Sequence, residues 1–148
     1  MPYIRIWVHI VWATKRRERI IHSNFRQELF DHIRSNARQK DIFLDCLNGV
    51  EDHLHALISL GSDQTISKIV QLLKGESSHW INKQKLLKGK FEWQDDYFAV
   101  SLSESGIDTV RRYIRNQETH HKKKTFEDEY QEFMEKYGFP ILRKDPLG

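Results

Sequence analysis

"IFLDCLNGV" at residues 42–50 and "HLHALISL" at 53–60 are two short apolar runs separated only by Glu51 and Asp52. Runs of this length, rich in Ile, Leu and Val and split by a polar pair, read as an antiparallel hairpin or two adjacent strands. In the second run, alternation sends Leu54, Ala56, Ile58 and Leu60 to one face and His53 and His55 to the other, about 6–7 Å apart along the pleat. Two imidazoles held side by side over an apolar face suit a single divalent ion. Two ordinary histidines on a half-exposed strand have the same spacing, and they are the commoner case.

Upstream, "YIRIWVHIVWAT" at 3–14 reads as a strand with Ile4, Ile6, Val8, Ile10 and Trp12 on one face and Tyr3, Arg5, Trp7, His9 and Val11 on the other. The basic turn "KRRER" at 15–19 follows. Ser23 or Asn24 then caps a helix marked by Phe25, Leu29, Ile33 and Ala37. Downstream, Ile66, Ile69, Val70, Leu73, Ser77 and Trp80 predict a helix over about 65–83, leading into the lysine-rich "KQKLLKGK" at 83–90. "FEWQDDYFAVSLS" at 91–103 returns to strand composition, with a turn at Asp95-Asp96. A third helix starts near Ser103 or Ser105, carries Ile107, Val110 and Ile114 as its apolar stripe, and runs to His121. Thr125 and Asp128 have the spacing of a capping box for a fourth helix, with Phe126, Tyr130, Phe133, Met134 and Tyr137 on one face and Gly138 and Pro140 past its end. The order βαββαβαα predicts an α+β fold, a ferredoxin-like or RRM-like antiparallel β-sheet with helices packed on one face. Residues 1–148 read as a single domain, with a C-terminal helix and tail over 125–148.

Composition narrows the function classes. With 148 residues, 39% of them apolar, the chain has enough material for a core. A net charge of +3 admits nucleic acid as a partner without requiring it. One cysteine, Cys46, excludes an internal disulfide, and no apolar run approaches the roughly 20 residues of a membrane span. The expected location is the cytoplasm, with no membrane partner.

In the third helix, Tyr113 and Gln117 stand one turn apart, and His120 falls in the same sector, flanking the apolar stripe. A tyrosine and a glutamine at such a boundary are routine taken alone. His-Leu-His on a strand together with Tyr-x-x-x-Gln on a later helix resembles the single-tyrosine HUH transposases, the IS200-like enzymes of small bacterial insertion sequences and their REP-associated relatives. The segments "HIVWATKRR", "DHLHALI" and "YFAVSLSES…VRRYIRNQETHHKKKTFEDEY" are similar to that family's landmarks in the same order, over about residues 3–130.

The resemblance implies His53, His55 and Gln117 as ligands of Mg²⁺ or Mn²⁺ and Tyr113 as the nucleophile. It assigns no role to His120 or His121. It implies a metal-dependent enzyme, free of ATP, that cuts and rejoins hairpin-containing single-stranded DNA through a covalent 5′-phosphotyrosine. A cation polarises the phosphate, and a tyrosine keeps hold of the cleaved end so that the bond energy is conserved for rejoining. It also implies a homodimer with composite active sites in a bacterial or archaeal cytoplasm. Arg16, Arg17, Lys83, Lys85, Lys88, Lys90, Arg111, Arg112, Arg115, Lys122, Lys123 and Lys124 then become candidates for DNA phosphates. Two other readings stand beside it: a palindrome-binding relative without transposition, and an unrelated metal-dependent hydrolase using the histidine pair.

Overall fold

Alternating β-branched and aromatic residues give the central strand, and the helices pack where its two faces leave apolar surface. A computed structural model describes residues 2–121 and 125–137. The elements are β1 (Trp7–Ala13), a 3₁₀ turn (Lys15–Arg17), α1 (Ser23–Gln39), β2 (Phe43–Gly49), β3 (His53–Ser59), α2 (Ile66–Lys83) and β4 (Phe98–Leu102). A second 3₁₀ turn (Glu104–Gly106), α3 (Ile107–Arg115), α4 (Gln117–His121) and α5 (Phe126–Tyr137) follow. Among the described residues one antiparallel sheet forms, in the order β2-β3-β1-β4. The α+β antiparallel architecture is as expected.

One face of the sheet carries the main core. Val8, Ile10 and Trp12 of β1 and Leu54, Ala56 and Ile58 of β3 pack there against α1 and α2. Leu54, Ala56 and Ile58 are wholly buried, and Leu60 is half-buried against the same cluster. Helices on one face describe α1 and α2 but not α3. Ile107 and Ile114 of α3 pack with Trp7 and Leu57 on the opposite face, each buried isoleucine contributing about 1.5–3 kcal/mol. That is the face bearing the histidines, because His53, His55 and Leu57 share one parity on β3.

Several elements differ from the sequence reading. The first strand begins at Trp7 rather than Tyr3, and Tyr3, Ile4 and Ile6 are exposed. Strand pairing near 91–103 is confined to β4, apart from a single bridge between Thr14 and Trp93. Residues 91–97 use their apolar side chains as anchors. Phe91 is bound through its backbone to the Asn82 amide at 2.7 and 3.1 Å, and Trp93 donates Nε1–H to Ser77 Oγ at 2.9 Å. His22, not Ser23 or Asn24, stands at the cap position of α1. The third helix breaks at Asn116, whose φ/ψ of −98°/20° ends α3 and starts α4 afresh at Gln117. The capping box is present: Asp128 N donates to Thr125 Oγ1 at 3.2 Å and Thr125 N to Asp128 Oδ2 at 3.3 Å. Gly138 and Pro140 lie outside the described residues.

Candidate active site

The β2–β3 turn sets the histidines in place. Gly49 ends β2 so close to β3 that a Cβ there would lie 2.4 Å from the His53 carbonyl oxygen and 2.4 Å from Leu54 Cδ2. Only glycine admits that approach. Register then puts Ala13 opposite His53 and Val11 opposite His55 on β1. Leu54 points into the core between them, as the alternation requires.

Both imidazoles are fully buried, and each is oriented through its Nδ1. Asp52 Oδ1 lies 2.7 Å from His53 Nδ1, and His9 Nε2 lies 2.9 Å from His55 Nδ1. A partner on Nδ1 fixes the ring and leaves Nε2 to face the site, the arrangement that second-shell groups provide at metal centres. The two Nε2 atoms converge on one carboxylate oxygen. Glu129 Oε1 of α5 is 2.8 Å from His55 Nε2 and 3.2 Å from His53 Nε2. Its other oxygen, Oε2, lies 3.2 Å from His121 Nε2 and accepts the Tyr113 hydroxyl. His53, His55 and Glu129 each present a ligand atom within 4.8 Å of the others.

Tyr113 is therefore brought to the pair, its ring centroid 5.6 Å from that of His55 and 6.3 Å from that of His9. The helix that carries it is firmly held. Arg111 reaches Asp45 of β2 with two bonds of 2.8 and 2.9 Å, and the Asn48 amide donates to the carbonyls of Ile114 and Arg115 at 2.9 and 3.1 Å. Gln117 opens α4 with a wholly buried side chain, its Nε2 3.5 Å from the Tyr113 carbonyl and its Oε1 accepting no hydrogen bond among the described residues. Arg26, itself buried, holds α4 to the start of α1 by bonding both the Ile21 carbonyl and Glu118.

The electrostatics follow from this packing. Burial, with the charge of His55 beside it, lowers His9 to about 3, and burial lowers His55 to about 4, so both are neutral near pH 7. For His53, burial acts downward but the Asp52 and Glu129 carboxylates outweigh it and raise its pKa. For Glu129, burial acts upward and the bonds from His121, His53 and His55 overcome it, holding the carboxylate well below its usual range. Burial, reinforced by the Glu129 charge, pushes the Tyr113 phenol well above its ordinary value.

Sequence reasoning named His53, His55, Tyr113 and Gln117, and the structure gathers His9, Asp52, Glu129 and His121 around the histidine pair, none of which it named as contributors. Asp52 reads as a turn residue, although its place next to the first histidine is a usable signal. His9 is assigned by alternation to a β1 face, and only the β1–β3 pairing turns that face toward His55. No local signal separates Glu129 from its acidic neighbours Glu127, Asp128 and Glu132.

Of the predicted phosphate contacts, Arg16 and Arg17 are exposed in the 3₁₀ turn and line a cleft that also reaches Asp52. Lys83, Lys85, Lys88 and Lys90 are exposed around the end of α2, away from the histidines in sequence, with Lys90 3.6 Å from Glu92. Arg111 is committed to Asp45 and to Asp108 at 3.0 Å, which makes it an anchor of α3. Arg112 and Arg115 are exposed on α3. Lys122, Lys123 and Lys124 lie outside the described residues, as does the side chain of His120.

A family model described as "Transposase IS200 like" matches residues 3–117. The chain belongs to the IS200-like transposase family. Within that family, the ISDra2 transposase TnpA of Deinococcus radiodurans is 28% identical over 115 residues, covering 74% of this chain and 81% of that protein. A transposase crystal structure from Deinococcus radiodurans R1 superposes with a TM-score of 0.63 at 28% identity, over 79% of this chain and 95% of the other. The fold is also that of a REP-associated tyrosine transposase bound to a REP hairpin, with a TM-score of 0.62 at 17% identity, over 82% of this chain and 72% of the other. Membership of an IS200-like transposase family carries a DNA-cleaving enzymatic role. Among the described residues no helix is long and apolar enough to cross a membrane.

Proposed function

We propose that this transposase is a metal-dependent single-tyrosine enzyme that cuts and rejoins single-stranded DNA with hairpin ends. The observation that carries the reading is the meeting of His53, His55 and the Tyr113 hydroxyl on one buried carboxylate, Glu129. The donor set fits a divalent cation. Two imidazole nitrogens, each oriented by a partner on its other nitrogen, converge with a carboxylate oxygen. Gln117 Oε1 is a buried carbonyl oxygen with no donor among the described residues, a condition that costs about 1–3 kcal/mol and that ligation would relieve. His53, His55 and Glu129 would hold the ion, with Gln117 Oε1 completing the protein ligands. A Mg²⁺ or Mn²⁺ ion bound there supplies Lewis-acid polarisation of a phosphate oxygen.

The chain's own residues account for the rest. α3 presents the Tyr113 oxygen beside the ligands, where it attacks phosphorus, the P–O3′ bond breaks, and a 5′-phosphotyrosine and a free 3′-hydroxyl result. Glu129 Oε2 accepts the phenolic hydrogen bond and so aims the hydroxyl, while the proton that the phenol gives up is balanced by the one that the leaving 3′-oxygen takes. Attack of a 3′-hydroxyl on the phosphotyrosine reverses the sequence and joins the new strand. Hairpin DNA as partner is supported by the REP hairpin bound to the fold relative. A homodimer in a bacterial or archaeal cytoplasm belongs to the same proposal.

The test uses labelled hairpin-containing single-stranded DNA with Mn²⁺ or Mg²⁺ and a denaturing gel. Wild type is expected to form a covalent adduct and Tyr113→Phe none. Binding without an adduct points instead to a palindrome-binding protein, and cleavage that survives Tyr113→Phe to a metal-dependent hydrolase.

A further inference from the structure

His9 reaches the histidine site along a route that only a long side chain can take. On the paired strands it stands opposite Leu57, while His55 faces Val11, so the two histidines are diagonal neighbours about 7–8 Å apart at the backbone. Their imidazoles close that gap. His9 Nε2 and His55 Nδ1 are 2.9 Å apart, with ring centroids at 5.2 Å and planes 29° apart, so the rings meet edge to edge. His9 is 3% exposed and His55 fully buried, and at such burial each nitrogen needs its partner.

The far side of His55 sets the direction of this bond. Its Nε2 lies 2.8 Å from Glu129 Oε1, and an ionised carboxylate only accepts. In this arrangement His55 donates through Nε2, its Nδ1 is bare, and His9 donates to it. A cation on His55 Nε2 demands the opposite. That nitrogen then offers a lone pair, the ring proton sits on Nδ1, and the partner 2.9 Å away has to accept. A carboxylate in the place of His9 would serve only the second arrangement, and a lysine only the first. A neutral imidazole serves both, because its proton can occupy either nitrogen. Asp52, the partner of His53 Nδ1, is an accept-only group, so the two imidazoles of the site are backed by different chemistry. A cavity of about 160 Å³ bordered by His9, Thr109, Tyr113 and Glu132 adjoins the pair, with room for the water that proton exchange at His9 requires.

We infer that His9 and His55 are a tautomeric pair whose shared hydrogen bond reverses when a divalent cation enters the site, which makes His9 the positioning residue for His55. The inference rests on the metal-dependent reading and adds to it the residue that lets His55 change from a donor to Glu129 into a ligand. Its proton balance closes. Before the reversal each ring carries its proton on Nε2, and afterwards each carries it on Nδ1. The His9 Nε2 proton passes to His55 Nδ1, and the proton that leaves His55 Nε2 is matched by one that water delivers to His9 Nδ1. Both rings stay neutral throughout.

The experiment records long-range proton–nitrogen correlation spectra of the full chain, its histidines labelled with nitrogen-15, in EDTA and then in saturating Mg²⁺. Protonated and bare ring nitrogens differ widely in shift, and the signals missing from His9→Gln and from His55→Gln assign the two rings. In EDTA both rings are expected to carry their proton on Nε2, and in Mg²⁺ both on Nδ1. A role in packing alone would not move those protons. Calorimetric titration with Mn²⁺ supplies a second readout. His9→Leu is expected to bind about 10–100-fold more weakly. His9→Gln should bind like wild type, since its amide spans the same diagonal and turns over to present either a donor or an acceptor. His55 protonated on Nδ1 in EDTA, His9 still protonated on Nε2 with Mg²⁺ bound, or His9→Leu binding Mn²⁺ as wild type does would each overturn the reversal. If His9→Leu does not fold, the spectra of wild type decide alone. Wild type that binds Mn²⁺ and forms the tyrosine adduct without the reversal removes this inference and leaves the transposase reading standing. Wild type that binds neither ion overturns both.

Discussion

Glu129→Gln tests the part of the site that comes from farthest away in the chain. In wild type the carboxylate is 4% exposed and meets His55 at 2.8 Å, His53 at 3.2 Å, His121 at 3.2 Å and the Tyr113 hydroxyl. Water cannot replace these contacts at such burial. A hydrogen bond to a charged group is worth about 1.5–3 kcal/mol and breaking a buried charge pair costs about 3–5 kcal/mol. The four contacts share one carboxylate and do not add, and glutamine keeps the shape and one acceptor. The expected loss of stability in the metal-free chain is about 2–4 kcal/mol, a fall of roughly 1–2 M in urea midpoint for an ordinary dependence on denaturant. Glu127→Gln is the control, two residues away and 78% exposed in its pair with Arg17. It should change stability by no more than about 0.5 kcal/mol. The assay is urea unfolding at neutral pH in EDTA, repeated by calorimetric titration with Mn²⁺. There Glu129→Gln should lose more than about 100-fold in affinity, beyond what a second-shell change produces. A Glu129 variant as stable as the Glu127 control would refute the packing of α5 on the histidines.

The second shell, acidity and the tight turn give further expectations. Asp52→Asn removes the carboxylate that orients His53 through Nδ1; Mn²⁺ affinity by calorimetry should fall about 10–100-fold, and an unchanged value would count against metal binding by His53. His9 and His55 titrate near 3 and 4 when folded against 6.5 when unfolded. Unfolding therefore takes up protons below pH 6.5, and stability present above that pH is lost on acidification at up to about 1.4 kcal/mol per pH unit for each histidine. His53 has the opposite sign, its contribution being full below 6.5 and lost as pH rises through its raised value, so it does not offset the acid loss. Urea midpoints of the metal-free chain that stay flat between pH 6.5 and 4.5 would contradict this. Gly49→Ala drives a Cβ to within 2.4 Å of the His53 backbone oxygen; a loss of about 1–3 kcal/mol is expected by urea unfolding, and no loss would show that the turn has room to relax.

Local pattern carried much of this protein. Period-two alternation assigned Leu54, Ala56 and Ile58 to the core and His53 and His55 to the other face, and the structure buries the first three completely. The Thr125–Asp128 spacing specified a helix start, and the reciprocal bonds are there. Failures arose where apolar content served something other than a regular element. Phe91 and Trp93 look like strand residues but anchor a loop to Asn82 and Ser77. The helix around Tyr113 looks continuous through Gln117, yet Asn116 divides it, and the division coincides with the burial of Gln117.

By itself, the sequence determined which side chains share a face, because that depends only on the periodicity of the backbone. It therefore placed the two histidines side by side, while the parts of Tyr113 and Gln117 came from the resemblance to a transposase family. What faces what was decided by the tertiary structure. α3 crosses to the histidine side of the sheet because its apolar stripe finds Trp7 and Leu57 there. His9 meets His55 because β1 pairs with β3, and Glu129 arrives from 74 residues beyond His55. Such contacts depend on how separate elements pack, and no periodicity along the chain records them.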